Sequence, residues 1–337
     1  MVNQITTKHN KKSNTEEIVS ILNELTRLLL IEEDSNGENI NLHENKWKNN
    51  IWKIGKDTVN AIVALLEKDS DIIKKLKEIS KQHEFFHMYV KSDFAMHAFS
   101  KPYYAGDMHL MKKICEKDMI ESNFEIINNR SFLSYPTAEG VKQRAKSLFE
   151  TLKQLPNGSK VVNLACGPAL EVQGFLEMSD KDIEFTLIDN DPLTLKYLEE
   201  QNLDERVNIV AANAFKLNSK RLSALCNQKV DLAYSSLFDY IPDKFAPRIT
   251  KALFDQVKPG SLMIGNYLEI ADSNPHTERQ RFFTDHMLDW KLIYRTPEEI
   301  ESFLDKINPA EYSYHINEFF GTNPNISITI FLIVKKI

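Results

Sequence analysis

In the stretch KVVNLACGPALEVQGFLEM, residues 160–178, an apolar run stops at Ala165-Cys166-Gly167-Pro168 and an amphipathic pattern starts at once. A strand that passes directly into a helix through small residues turns backbone N–H groups and the positive helix end toward a ligand. A dinucleotide fingerprint would place three glycines in this bend; here Ala165, Gly167 and Ala169 hold the three small positions. The substitutions argue against a pyrophosphate cradle. They leave a site for a smaller ligand without phosphates, or a tight strand-to-helix turn and nothing more.

The alternation continues downstream. Apolar runs of strand length recur at 160–164, 184–188, 207–210, 230–234 and 262–267, separated by helical segments such as 192–201 and 245–257. Strands alternating with helices predict a mostly parallel sheet covered on both faces, an α/β Rossmann-like domain over 141–337. The ending breaks the pattern: residues 312–319, the turn GTNP and then ISITIFLIVKK follow with no helix between them. That predicts an antiparallel C-terminal hairpin added to the sheet. Upstream, Val19, Leu22, Leu25 and Leu29 recur at helical spacing, with similar patterns around 47–66 and 71–90. Residues 16–140 therefore read as an N-terminal helical region, a lid or acceptor-pocket element, and residues 1–15 as a disordered tail.

Composition narrows the function classes. With 42% hydrophobic and 27% charged residues and a mean hydropathy of -0.37, the 337-residue chain reads as a globular protein. No apolar run approaches the roughly 20 residues of a membrane-spanning helix. The polar start, MVNQITTKHNKKSNTEE, lacks the apolar core of a secretory signal. Cys115, Cys166 and Cys226 are widely spaced and odd in number, which predicts neither a disulfide framework nor a metal site and makes a reducing cytoplasm the expected setting. A net charge of -6 without a long basic tract argues against a nucleic-acid binder.

Asp189 ends the second predicted strand in TLIDNDP, roughly 20 residues past the bend, where a carboxylate can accept hydrogen bonds from both ribose hydroxyls. Asp191 is the alternative, although its place before Pro192 also suits a helix N-cap. After the third strand, in AANAF, the Asn213 amide could pair with an adenine edge and Phe215 could cover a ring face; an ordinary turn and a core phenylalanine are the plainer alternative. Taken together these residues describe a nucleoside site without phosphate chemistry.

The segments LACGPA, LIDND, AANAF, VDLAYSSLFDY and VKPGSLMIGNY, with the closing hairpin, resemble the class I S-adenosylmethionine-dependent methyltransferases. Asn163 stands where an aspartate is usual, Ala165 replaces the first glycine, and Asn213 stands where aspartate is frequent. The resemblance implies S-adenosyl-L-methionine as cofactor, with contacts from Arg144, Ala165, Cys166, Gly167, Pro168, Asp189, Asn190, Asn213, Ala214, Phe215, Ser235 and Leu237. KPYYAGDMHLM, PTAEGVKQR, NLACGPALEVQ, SSLFDYIP and DWKLIYRT are similar to a narrower group, the bacterial extracellular-factor or 3-hydroxypalmitic acid methyl ester biosynthesis proteins. That group implies methylation of the carboxylate of a 3-hydroxy fatty acid, a small-molecule acceptor, to make a quorum-sensing signal. The alternatives are a methyltransferase acting on a protein or another metabolite, and a non-catalytic module that binds the cofactor.

A fatty carboxylate is ionised at neutral pH and needs an orienting counter-charge rather than a base. Arg295, with Trp290 and Tyr294 beside it, and the YYAGD segment with Tyr103, Tyr104 and Asp107 are the candidates for that orientation; the plainer alternatives are a surface arginine paired with Glu298 or Glu299, and packing of the tyrosines of the helical region onto the sheet. Arg144 could reach the methionyl carboxylate of the cofactor. Tyr240 and Asp239 follow the fourth strand, where the transferred methyl should point, and Asn266 is a candidate of the same kind. Tyr104, Tyr240 and Arg295 are thus the expected catalytic residues. His83, His87 and His97 have no acidic or cysteine partner at ligand spacing and read as solvated or packed, and Cys166 as a small packing residue.

Overall fold

The computed structural model describes residues 106–115, 136–267, 290–320 and 327–336, together with the single positions Glu16, Val19, Ser20, Asn23, Ile79, Gln82, His83 and His97. Helices α1 (Met108–Cys115) and α2 (Pro136–Gln154) precede β1 (Ser159–Leu164). Helices and strands then alternate through α3 (Leu170–Met178), β2 (Ile183–Asp189), α4 (Pro192–Glu200), β3 (Val207–Ala211), α5 (Ser219–Cys226), β4 (Val230–Ser235), α6 (Ala246–Gln256) and β5 (Val257–Tyr267). α7 (Pro297–Glu301) leads into β6 (Tyr312–Phe320) and β7 (Ser327–Lys336).

The sheet order is β3-β2-β1-β4-β5-β7-β6. The first five strands run parallel, with Val161 opposite both Phe185 and Leu232, while β7 pairs antiparallel with β5 and with β6. This is the expected architecture, terminal hairpin included. In β1 every residue but Lys160 is buried, so the strand reads as a nearly unbroken run instead of an alternation. One face packs Val162, Leu164, Ala233 and Leu332 against α5 and α6 residues such as Leu222, Ile249 and Leu253. The other packs Val161, Phe185, Leu187 and Leu232 against Leu148 and Leu152 of α2 and Phe175 of α3.

Local signals start the helices. Asp191 caps α4 by accepting from the Leu193 amide at 3.2 Å, with Pro192 at the first helical position. Asn218 caps α5 in the same way, and Thr296 with Glu299 forms a capping box on α7. Because the chain runs from β1 outward to β3 and then returns to β4 and β5 on the other side, the strand order reverses between β1 and β4. The crevice beyond their C-terminal ends is where such sheets hold ligands.

Strand boundaries fall within a residue of expectation except in β5, which begins at Val257 rather than Leu262. The extra turn-like residues KPG pair with an irregularity in β4 between Val230 and Leu232. The Asp231 side chain secures that irregularity, accepting from the Lys160 amide at 2.9 Å and meeting Lys258 at 2.8 Å. The predicted N-terminal tail and helical region lie outside the described residues, apart from α1, the start of α2 and the single positions above. Among the described residues no helix is long and apolar enough to cross a membrane, and no cluster of three metal-ligating side chains occurs.

The close approach at the irregularity is testable. A Cβ on Gly260 would stand 2.3 Å from the Asp231 carbonyl oxygen, so Gly260→Ala forces backbone movement. The expected cost is about 1–3 kcal/mol, read as a lower midpoint in thermal unfolding with ligand affinity unchanged.

Candidate functional site

The bend between β1 and α3 is built from left-handed backbone. Ala165, Gly167 and Ala169 have φ of 55°, 54° and 47°. An L-residue costs roughly 1–2 kcal/mol there, and two of these three are alanines. The strain is held by backbone hydrogen bonds from Cys166 to Ile188 (3.1 Å) and from Ala169 to Cys166 (3.1 Å), and by the Gly167 amide donating to Asp189 Oδ2 at 3.0 Å. No side chain caps α3. A Cβ on Gly167 would touch nothing within 4 Å, so its backbone borders open space. That space is a cavity of about 410 Å³, within the range of small-molecule sites.

Asp189, at the end of β2, lines the cavity. Its Oδ1 accepts from the Asn190 (2.7 Å) and Asp191 (3.0 Å) amides, which fixes the carboxylate and leaves lone pairs free. Asp191 is committed elsewhere, to the Leu193 amide and to Thr194 Oγ1 at 3.0 Å. Beside the bend, Glu171 in the first turn of α3 accepts from Tyr234 Oη at 2.6 Å and from Asn163 Nδ2 at 3.0 Å. Burial pushes its carboxyl above the usual range, although the Tyr234 hydroxyl favours the charged form. Burial, with Asp189 and Glu171 nearby, holds the Cys166 thiol well above its ordinary value, so this cysteine is an unreactive packing residue.

The opposite wall is a buried ion pair among aromatic rings. Arg144 of α2 donates to Asp239 Oδ2 at 2.7 Å, and its guanidinium stacks 4.5 Å from the centre of the Tyr267 ring. Burial works against the Arg144 charge, but Asp239 and Tyr267 more than offset this and its pKa is raised. Its Nε is buried without a partner. The other Asp239 oxygen accepts from the Tyr267 amide at 2.7 Å; burial raises this carboxyl despite Arg144. Trp290 Nε1 donates to Tyr240 Oη at 2.7 Å, and burial pushes the Tyr240 phenol up.

Of the residues expected from the sequence, Arg144, Ala165, Cys166, Gly167, Pro168, Asp189, Leu237 and Tyr240 come together around this cavity. Asn190, Asn213, Ala214, Phe215 and Ser235 do not line it. Asn213 accepts from the Phe215 amide at 2.9 Å, Phe215 is exposed against the edge of Phe245, and buried Ser235 donates to the Leu164 carbonyl at 2.8 Å. Tyr103 and Tyr104 lie outside the described residues.

Two expectations need correction. Arg295 is buried and does not line the cavity; its guanidinium donates to the carbonyls of Phe238 (2.7 Å) and Ile241, to Asn266 Oδ1 (2.6 Å) and to Asp243 (2.8 Å). It therefore clamps the turn that carries Asp239 and Tyr240 instead of meeting an acceptor, and Asn266 belongs to the same clamp. His97 does have an acidic partner: its Nε2 lies 2.8 and 3.0 Å from the two oxygens of Asp107, which also caps α1 through the Leu110 amide. Asp107 is thus occupied and outside the cavity lining.

Residues that the sequence reading did not assign to the site include Glu171, Tyr234, Tyr267, Met108 and Met111, all of which line the cavity. Glu171 had one signal, an acidic residue in the first helical turn after the bend. The others gave none, since their positions depend on how α1, β4 and β5 meet.

The parallel sheet with its reversed order and antiparallel hairpin is the α/β Rossmann-like fold of class I methyltransferases. No protein-family model and no curated protein matches this chain. Among solved structures, a possible exported protein from Bordetella parapertussis aligns at a TM-score of 0.58 and 12% identity, over 96% of this chain and 97% of its own. The small RNA methyltransferase HEN1 aligns at 0.48 and 13%, over 66% of this chain and 27% of its own. An S-adenosylmethionine dependent methyltransferase from Mesorhizobium loti aligns at 0.42 and 15%, over 58% and 98%. At these identities the likeness concerns the fold alone.

The two acids after β2 separate by mutation. If the cavity holds a nucleoside through Asp189, Asp189→Ala should weaken S-adenosylmethionine binding by about 1.5–3 kcal/mol, the value of a charge-assisted hydrogen bond. Asp191→Ala should cost about 1 kcal/mol of stability through the lost cap and leave affinity intact. Calorimetric titration and thermal melts of both variants check this; the reverse pattern would move the ribose contact to Asp191.

Proposed function

We propose that the chain is an S-adenosylmethionine-dependent methyltransferase that esterifies the carboxylate of a small-molecule acceptor. The observation that carries this reading is one cavity that joins an open left-handed turn beside Asp189 to a wall holding a buried cation, Arg144, but no available base. The turn suits the nucleoside: Gly167 leaves room for close approach, and Asp189 keeps acceptor capacity for two ribose hydroxyls. When bound, S-adenosylmethionine supplies a methyl group activated by a positively charged sulfur, which passes to the acceptor oxygen as the carbon–sulfur bond breaks.

The protein's part is positioning, which can supply several kcal/mol of barrier reduction. Both Asp239 oxygens already accept hydrogen bonds, and burial keeps Tyr240 a phenol. No histidine of the described residues lines the cavity. A hydroxyl or ammonium acceptor would need a base at this point, whereas a carboxylate, with a pKa of about 4.3, arrives ionised. Arg144, which lines the cavity with its Nε unpartnered even while Nη1 meets Asp239, would take the orienting role expected of Arg295. The resemblance to the extracellular-factor proteins supplies the narrower candidate, a 3-hydroxy fatty acid, and Met108, Met111 and Leu148 offer an adaptable apolar wall for its chain.

At saturating cofactor, methyl-ester formation from a 3-hydroxy acid should be nearly flat from about pH 6 to 8, because neither the acid nor Arg144 titrates there. Arg144→Lys keeps the charge but loses the planar fork, and is expected to raise KM for the acid about tenfold with little change in kcat. A steep loss of the chemical step as pH falls through about 7 would instead indicate a base-assisted acceptor. Cofactor binding without transfer to any carboxylic acid would favour a protein acceptor or a non-catalytic module.

A further inference from the structure

Glu171 is an acid without a cation. It is half-buried in the cavity wall, and its hydrogen-bond partners are the neutral donors Tyr234 and Asn163, both on Oε1. No lysine, arginine or histidine of the described residues pairs with it, and Arg144, across the same cavity, is committed to Asp239. A carboxylate crowded by protein and left unpaired is costly unless it takes up a proton or meets a positive group. The bend places it where the open space begins, one helical turn from the Gly167 backbone.

We infer that Glu171 recognises, as a carboxylate, the ammonium group of the ligand's amino-acid portion, giving up to solvent any proton it carries as that group enters. This rests on S-adenosylmethionine as the ligand. The balance is simple: the ammonium arrives already protonated, so the proton leaving Glu171 goes to buffer and no covalent bond changes in the ligand. Burial displaces the Glu171 carboxyl upward, so it holds a proton more readily than an exposed glutamic acid, and an entering ammonium would reverse that. The other titratable groups that face it are Tyr234 from β4 and Cys166 from the bend, both kept protonated by burial, with Asp189 beyond Cys166. Because the folded value is raised and the bound form is ionised, affinity falls as pH drops below the free-protein value.

The test is calorimetric titration of the full chain from about pH 5.5 to 8, in buffers of different ionisation enthalpy, with three probes: S-adenosylmethionine, S-adenosylhomocysteine and methylthioadenosine. The first two carry the ammonium and should release protons, more per ligand toward the acid end. Methylthioadenosine has the nucleoside without the ammonium and should release none. Glu171→Gln, isosteric with the neutral acid, should abolish the release and weaken both ammonium ligands about tenfold or more while leaving methylthioadenosine unchanged. Tyr234→Phe removes a donor that favours the charged form, so release should persist with its onset shifted to higher pH. Release that survives in Glu171→Gln, or equally tight binding of all three probes without release, would overturn the inference and leave the proposed function standing. Failure of all three to bind the wild-type chain would overturn the proposed function and this inference with it.

Discussion

The carboxylate of Asp239 ties together the three elements that enclose the cavity. One oxygen accepts from Arg144 on α2, the other from the backbone of Tyr267 at the end of β5, and the residue itself sits in the turn after β4. Breaking a buried pair of this kind costs about 3–5 kcal/mol, because the surviving charge is stranded. Arg295 braces the same turn from its other side through the Phe238 and Ile241 carbonyls. The turn is therefore held between two arginines with different tasks. Arg144 faces the cavity, and Arg295 fixes the backbone that presents Asp239 and Tyr240.

The two walls of the cavity differ in electrostatic character. On the Arg144 side, the cation already meets a carboxylate of the protein, and the aromatic rings of Tyr240, Tyr267 and Trp290 line the same wall. On the side of the bend, Glu171 and Asp189 have only neutral donors or backbone amides as hydrogen-bond partners. The left-handed Ala165 and Ala169 add a second asymmetry, since strain of this kind persists only where surrounding structure enforces it. Here the enforcing groups are the Asp189 carboxylate and the Ile188 carbonyl, so the geometry of the bend and the placement of Asp189 depend on one another.

The sheet was legible in the sequence because each of its strands is a local pattern. Buried parallel strands are continuous apolar runs, caps such as Asp191 and Thr296 mark the helix starts, and the lack of a helix between 312–319 and the final run announces the hairpin. The bend and Asp189 followed from the same logic, since both sit at fixed places relative to β1 and β2. The role of Arg295 was not legible. Its neighbours in sequence, Trp290 and Tyr294, suggest a pocket, but its side-chain hydrogen bonds go to residues 29 to 57 positions away, among them Asn266 and Phe238. His97 and Asp107 illustrate the opposite case: only 10 positions apart, they were not read as a pair, because their contact reflects how the chain enters α1 and not a ligand spacing.

By itself, then, the sequence determined the order and type of the elements from β1 onward, the position of the cavity-facing bend, and the acid that follows β2. Hydrophobic period and turn chemistry act over a few residues, and those features need nothing longer in range. Tertiary structure alone decided which charges are spent on the fold and which face the cavity. It assigned Arg295 to the turn, Arg144 to Asp239, and left Glu171 with neutral partners. Pairing of buried charge is settled by three-dimensional proximity and by exclusion of water, and neither is written in the spacing of residues along the chain.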